Sequence, residues 1–151
     1  SNLSGHDSHG VGMVPRYIDA VLEGGLVPNT SVRTVLDTGT LLTLDGQRGY
    51  GQIVGAQAMA LGMARARQHG SCIMTLANAH HLGRIGHFAE MAVAQGLVAM
   101  HFVNVLSRPI VAAWGGGGSE ASAGAGSRTW VIRGRFWRGG AGRGKPAPPR
   151  G

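Results

Sequence analysis

Residues 41–77 read LLTLDGQRGYGQIVGAQAMALGMARARQHGSCIMTLA. The stretch opens on four mostly apolar residues that precede the turn pair Asp45-Gly46, a pattern typical of a short strand. The segment 51–68 is rich in Ala and Met, has basic residues in its last turn and is followed by Gly70, which predicts a capped helix. Because its apolar residues spread beyond a narrow stripe, we expect this helix to be buried on two sides.

The same alternation of strand and helix continues toward the C-terminus. Apolar runs and helical spacing predict a strand over 72–77, a helix near 84–95 and a strand over 97–103. Toward the N-terminus, one apolar stripe predicts a helix over 14–23, and 26–39 is interpreted as a polar connection. This order favours an α/β layer of helices packed on a sheet, with an extra helical segment at the N-terminus.

The chain divides into three segments by composition. We predict an N-terminal helical segment (1–40), the α/β part (41–114) and a disordered tail (115–151). The tail holds 12 glycines and 6 arginines and little apolar periodicity, so it cannot bury enough surface to offset the entropy of ordering. Most of the formal net charge of +7 lies in this tail, so the charge is weak evidence for a nucleic-acid-binding protein.

Several classes of protein are disfavoured. The single Cys72 leaves no internal disulfide or Cys-rich metal site and suits a reducing compartment, so we expect a cytoplasmic protein. No apolar run approaches the roughly 20 residues that span a membrane, and no secretory signal is visible. Seven histidines occur, but none in an H-E-x-x-H pattern, so we expect no metal site.

The segment Asn78–Gly86 (NAHHLGRIG) is the strongest candidate for chemistry. It follows a predicted strand and precedes a predicted helix, the place where α/β sheets usually bind ligands. A histidine there can exchange a proton near neutral pH, and Arg84 suits a carboxylate. The alternative is an ordinary polar loop whose histidines have structural partners.

Three motifs together resemble the type-2 malate/L-lactate dehydrogenase family, in its hydroxycarboxylate dehydrogenase B-like subgroup. They are NLSGHDSHGVGMVP (2–15), Leu44-Asp45-Gly46 with Gly49 and Gly51, and the segment 78–86. The resemblance implies an α/β fold that is not the usual Rossmann arrangement, and transfer of a hydride between 2-hydroxy acids and 2-oxo acids. It implies NAD or NADP as cofactor and a homodimer. From the composition, we expect no membrane partner, and a nucleic-acid partner is disfavoured.

The resemblance also implies roles for particular residues. His81 matches the family's catalytic histidine and would exchange the substrate's hydroxyl proton. His9, from the DSHG motif, and Gly83, Arg84 and Ile85 match positions that contact the nicotinamide cofactor.

This sequence departs from the family at two points. Some relatives carry an arginine four residues after the DSHG histidine, where this chain has Met13; Arg16 lies seven residues after it. After Trp114 the family pattern gives way to Gly/Arg-rich sequence, so we expect an incomplete fold: a fragment with a frameshifted tail, and a missing natural beginning before Ser1. The alternatives are a non-catalytic truncated product or gene remnant and, with less support, a basic nucleic-acid-binding protein.

Overall fold

The computed structural model describes residues 2–5, 9–103 and, for the backbone, 129–132. Two 3-10 turns, Asn2–Ser4 and Val11–Met13, precede the regular elements. These elements are α1 (Val14–Leu22), β1 (Arg33–Asp37), β2 (Leu41–Asp45), α2 (Gly51–His69), β3 (Ile73–Ala77), α3 (Gly86–Val93), β4 (Met100–Val103) and β5 (Thr129–Ile132).

The strands form one mixed sheet in the order β1-β2-β3-β5-β4. β2 and β3 run parallel, with Leu41 opposite Ile73 and Asp45 opposite Ala77, and α2 makes the crossover between them. β1 and β5 run antiparallel to their neighbours. The α/β prediction is confirmed, and both β2 and β3 direct their carboxyl ends to the same edge of the sheet.

The core lies between the sheet and the helices α2 and α3. Alternate residues of the two parallel strands point into it, as strand geometry requires. Leu42 and Leu44 from β2 and Met74 and Leu76 from β3 are 0–2% exposed. They belong to one apolar cluster with α2 residues and with Phe88 of α3.

Burial of α2 differs from the expectation. The buried residues of the helix recur every three or four positions and form one broad face; they are Gly51, Val54, Gly55, Ala58, Met59, Gly62, Met63 and Ala66. Ile53, Ala60 and Ala64 are exposed, so the expectation of burial on two sides is wrong for the described residues. Glycines supply three of the eight buried positions, and at Gly55 an added Cβ would lie 2.7 Å from Phe88 Cζ.

Two strands lie where none was expected. β1 falls inside the segment 26–39, because its backbone pairs with β2 although its side chains are exposed. Thr129–Ile132 forms β5 inside the tail, so the prediction of disorder does not hold for these four residues. The rest of the tail, residues 104–128 and the segment His6–Ser8 lie outside the described residues.

Membrane-spanning helices and metal-binding clusters are both absent from the described residues. None of the helices among them is long and apolar enough to cross a membrane. Across the same residues, there is no group of three or more histidine, cysteine, aspartate or glutamate side chains that could hold a metal ion.

Candidate active site

The candidate site lies at the carboxyl ends of the parallel strands β2 and β3. Three backbone hydrogen bonds connect the loop after β2 to the end of β3 and the loop that follows it. Gly46 N–H donates to Ala77 O (2.8 Å), Arg48 N–H to Asn78 O (2.7 Å) and His80 N–H to Gly49 O (3.0 Å). The two loops therefore form one unit, which is anchored to the sheet at the position where α/β proteins usually bind ligands.

Local conformation explains part of this arrangement. Asn78 has a φ of +51°, a left-handed conformation that asparagine tolerates better than most residues. Its side-chain amide donates to Asp45 at 3.2 Å, and the same carboxylate accepts the backbone N–H of Gln47. The last residue of β2 thus fixes the start of both loops.

The loop of residues 78–85 rests on the first turn of α2. A Cβ at Gly51 would overlap the backbone carbonyl oxygens of both His80 and His81. Only glycine permits such a close approach of helix and loop. This contact places the two histidines directly over the beginning of the helix.

His81 is at the centre of the site. Its Nδ1 lies 2.9 Å from the hydroxyl oxygen of Tyr17, which comes from α1. That oxygen also accepts a hydrogen bond from the side-chain amide of Gln52 in α2, at 2.5 Å. The ring of His9 lies 5.1 Å from the ring of His81, centroid to centroid. Three parts of the chain that are remote in sequence meet around this imidazole: the N-terminal region with α1, the start of α2 and the loop after β3.

The surroundings keep His81 neutral. Partial burial is the main cause that lowers its pKa from the ordinary 6.5, and electrostatic interactions with His9, His80 and Arg16 lower the pKa further. A histidine with a lowered pKa is a neutral imidazole at neutral pH, and can therefore accept a proton.

His80 has a different environment. Its ring packs edge-on against Tyr17 at 5.9 Å, and its buried Nδ1 has no hydrogen-bond partner among the described residues. Burial lowers the pKa of this histidine as well. Both adjacent histidines therefore contact Tyr17, but only His81 is hydrogen-bonded to it.

The other predicted site residues have three different environments: Gly83 lies beside Gln52, Ile85 packs against the core, and Arg84 is paired with Glu90. Gly83 has a φ of +73°, and an added Cβ would lie 3.4 Å from the side chain of Gln52. Ile85 directly precedes α3 and packs against the core. Arg84 makes a two-pronged ion pair with Glu90, at 2.6 and 2.8 Å, which directs its guanidinium along α3.

Sequence reasoning missed two residues of the site. Tyr17 falls on the apolar stripe that predicts the helix over 14–23, and Gln52 falls near the start of the helix predicted over 51–68, without a predicted role in the site. The available signal was weak: a tyrosine on an apolar stripe carries a hydroxyl that needs a polar partner once it is buried. Nothing in the spacing of residues 17, 52 and 81 indicates that they meet.

Comparison with known proteins gives consistent results. The family model described as malate/L-lactate dehydrogenase matches residues 1–124. Hydroxycarboxylate dehydrogenase B of Escherichia coli is 47% identical over 116 residues, which are 77% of this chain and 32% of that protein. An L-lactate dehydrogenase of Cupriavidus necator is 46% identical over 117 residues, 77% of this chain and 34% of that protein.

Solved structures agree with these relatives. The sulfolactate dehydrogenase of Methanocaldococcus jannaschii superposes with a TM-score of 0.68 at 33% identity, over 76% of this chain and 33% of that one. The malate dehydrogenase of Pyrococcus horikoshii gives 0.63 at 34% identity, over 72% and 30%. This chain spans about a third of the length of the relatives it matches. The match of the family model across most of the sequence shows that the chain belongs to the malate/L-lactate dehydrogenase family.

Proposed function

We propose that the chain provides the acid/base part of an NAD(P)-dependent dehydrogenase that interconverts 2-hydroxy acids and 2-oxo acids. The observation that carries the proposal is the environment of His81: a half-buried imidazole with a lowered pKa, whose Nδ1 is held by Tyr17 at the ends of two parallel strands. The names of the relatives, which include malate, lactate and sulfolactate dehydrogenases, support this substrate class.

His81 would move the proton of the reaction. During oxidation, the substrate's hydroxyl proton passes to Nε2 of His81, while the hydrogen on the same carbon leaves as hydride. During reduction, Nε2 returns a proton to the carbonyl oxygen. Because Tyr17 occupies Nδ1, the ring meets the substrate with its other nitrogen. General acid/base catalysis of this kind contributes typically 10²–10⁴-fold to a rate.

The described residues fit the reacting end of a nicotinamide cofactor. Gly83, two residues after His81, is in a left-handed turn that brings its backbone close to Gln52. His9 lies beside the imidazole ring of His81. His9, Gly83 and Ile85 would line this end of the cofactor, and the nicotinamide ring, when bound, supplies or accepts the hydride. Arg84 fits a phosphate less well, because Glu90 already neutralises its charge.

Arg16 is the better candidate for holding the substrate's carboxylate. Its charge lies close enough to His81 to lower the pKa of that histidine. Among the described residues it has no ion pair, in contrast to Arg33, Arg65 and Arg84. An arginine can bind a carboxylate through two parallel hydrogen bonds, which would fix the substrate relative to His81.

A homodimer in the cytoplasm is part of this proposal. Apolar residues of α1 and the preceding turn are exposed in the described structure; they are Val11, Val14, Ile18 and Leu22. An exposed apolar stripe of this kind is typical of surfaces that contact another chain or domain. A second copy of the complete enzyme would bury it.

The test is a chimera in which this chain supplies the 116 aligned residues of E. coli hydroxycarboxylate dehydrogenase B. In the chimera, His81→Gln should lower kcat for 2-oxo acid reduction by roughly 10²–10⁴. Arg16→Met should mainly raise KM for the acid. The control is His87→Gln, because His87 is exposed on α3 and should leave both constants unchanged. An effect of His81→Gln below tenfold, with the cofactor still bound, would remove His81 from the acid/base role.

A further inference from the structure

The hydroxyl group of Tyr17 connects two side chains that can each change their hydrogen-bonding role. Its oxygen lies 2.5 Å from the side-chain nitrogen of Gln52 and 2.9 Å from Nδ1 of His81. The three residues come from α2, α1 and the loop after β3. An amide, a phenol and an imidazole can all donate or accept, so the direction of this chain of hydrogen bonds is not fixed by composition.

The direction of these hydrogen bonds determines which ring nitrogen of His81 carries the proton. When Gln52 donates its N–H to Tyr17, the single hydroxyl hydrogen is available for His81, whose Nδ1 then accepts it. A neutral imidazole in that arrangement carries its own proton on Nε2. When the amide of Gln52 turns over and presents its oxygen, the Tyr17 hydroxyl donates to Gln52 instead. Tyr17 then accepts the Nδ1–H of His81, and Nε2 is left without a proton.

We propose that Tyr17 and Gln52 are positioning residues that select which ring nitrogen of His81 carries the proton. The inference rests on the proposed acid/base role of His81, because only a proton-exchanging histidine needs this selection. A base must present a bare Nε2, and the corresponding acid must carry protons on both nitrogens. In both states Nδ1 donates to Tyr17, so the whole proton cycle is served by the direction in which Gln52 accepts from Tyr17, which the amide reaches by turning over from the donating arrangement described above.

The amide is suited to this function for a physical reason. A carboxylate at position 52 would only accept hydrogen bonds and would add a negative charge near the imidazole. An apolar residue would leave the Tyr17 hydroxyl without its second partner. Glutamine can take either direction without a change in charge, so the neutral state of His81, which is surrounded by His9, His80 and Arg16, is preserved.

The first measurement uses nitrogen NMR of the 151-residue chain labelled with ¹⁵N-histidine, since the two nitrogens of a neutral imidazole differ in shift according to which one is protonated. His81→Gln assigns the resonances. Gln52→Glu should move His81 toward the form protonated on Nδ1 and raise its titration midpoint. Tyr17→Phe should shift the balance between the two forms, because Nδ1 loses its partner. Tyr50→Phe is the matched control, since Tyr50 packs edge-on against Tyr17 at 5.7 Å and should leave His81 unchanged.

The second measurement separates positioning from a merely structural role. In the chimera, Tyr17→Phe should lower kcat by roughly 3- to 10-fold, as expected for one hydrogen bond, with KM nearly unchanged. Gln52→Glu should shift the pH profile upward.

The outcomes of the two tests are distinct. Identical His81 spectra in the original chain, Tyr17→Phe and Gln52→Glu would overturn the inference. If Tyr17→Phe does not fold, the Gln52→Glu spectrum alone decides it. An active His81→Gln chimera would instead refute the proposed function, whatever the spectra show.

Discussion

Helices α1 and α2 differ in whether their apolar residues are buried. α2 buries eight residues, which pack against the sheet, α3 and the histidine loop, whereas α1 buries none among the described residues. Val14, Ile18 and Leu22, spaced four apart on α1, are 47%, 55% and 80% exposed. Yet α1 supplies Tyr17 to the candidate site. The comparison indicates that α2 and the sheet stabilise the fold, while α1 serves the site and leaves its apolar stripe exposed.

α1 is attached mainly through the residues that follow it. Leu26 is 1% exposed, and its N–H donates to Ala20 O at 2.9 Å. Val27 N–H then donates to Arg48 O in the loop after β2, and the Arg48 guanidinium donates to Gly24 O. These contacts fix the end of α1 to the same loop that supports the histidines. The helix is therefore positioned without burial of its own apolar stripe.

The largest expected difference between the two regions is in stability. Leu44→Ala, at 0% exposure in β2, should lower the free energy of unfolding of the 151-residue chain by about 2–5 kcal/mol, because it leaves a cavity in the core. Leu22→Ala, on the exposed stripe, should change it by no more than about 0.5 kcal/mol. Urea unfolding followed by circular dichroism measures both.

The matched leucines make this result decisive. Both variants remove the same atoms, so the difference reports mainly burial, to which the strand and helix propensities of alanine add less than about 1 kcal/mol. If Leu22→Ala costs as much as Leu44→Ala, the α1 stripe is already covered in the 151-residue chain, by residues beyond the described ones or by a second copy. Repeating the Leu22→Ala measurement over a range of protein concentrations distinguishes these two cases.

A smaller effect is expected at the contact between α2 and the histidine loop. Gly51→Ala places a Cβ against the carbonyl oxygens of His80 and His81, so loop or helix must shift. We expect a loss of about 1–3 kcal/mol in unfolding free energy, although alanine is the better helix former. The ¹⁵N resonances of His81 should move at the same time.

A control for this substitution lies at the end of α1. Gly25→Ala adds the same methyl group where the nearest atom, the carbonyl oxygen of Ala20, would be 3.6 Å away. Gly25→Ala should therefore have little effect on stability or on His81. Equal losses in the two variants would show that the contact at Gly51 adjusts without strain.

The fold was more predictable than the site because the two depend on different ranges of sequence. The apolar runs of β2 and β3 and the helical pattern after Gly51 are local features, and the structure confirms strands and a helix there. β1 was missed because its side chains are exposed and its pairing with β2 is purely a backbone property. Two-sided burial of α2 was wrong because buried glycines carry no apolar side chain to mark their face.

The site depends on contacts that local patterns do not encode. His81 was predicted from its loop and motif. Its partner Tyr17, however, lies 64 positions away along the chain, and Gln52, which is hydrogen-bonded to Tyr17, lies 35 positions from that tyrosine. Arg84 shows the same limit: its charge was readable, whereas its pairing with Glu90 depends on how α3 begins.

The smallest expected effect concerns pH, and it separates the histidine site from the exposed helix. Burial lowers the pKa of His80, His81 and His101 below the ordinary 6.5. The unfolded chain therefore binds protons more readily than the folded chain as the pH falls below 6.5. The contribution of these histidines to the free energy of unfolding should be fully present above pH 6.5. It should be lost as the pH falls from 6.5 through their lowered pKa values in the folded chain.

Restricting the measurement to pH 5–7.5 isolates the histidines. Asp37, Asp45 and Glu90 also have lowered pKa values, from 3.8, 3.8 and 4.5, so their contributions are lost mainly below this window. The double variant His80→Asn/His81→Asn should flatten the dependence of unfolding free energy on pH and leave only the part due to His101. His87→Asn, on the exposed surface of α3, should keep the original slope.

If the double variant also keeps that slope, the two site histidines titrate alike in the folded and unfolded chains. In that case the contacts of His81 with Tyr17 and His9 do not bury the ring enough to hold it neutral, and the acid sensitivity originates from the sheet at His101.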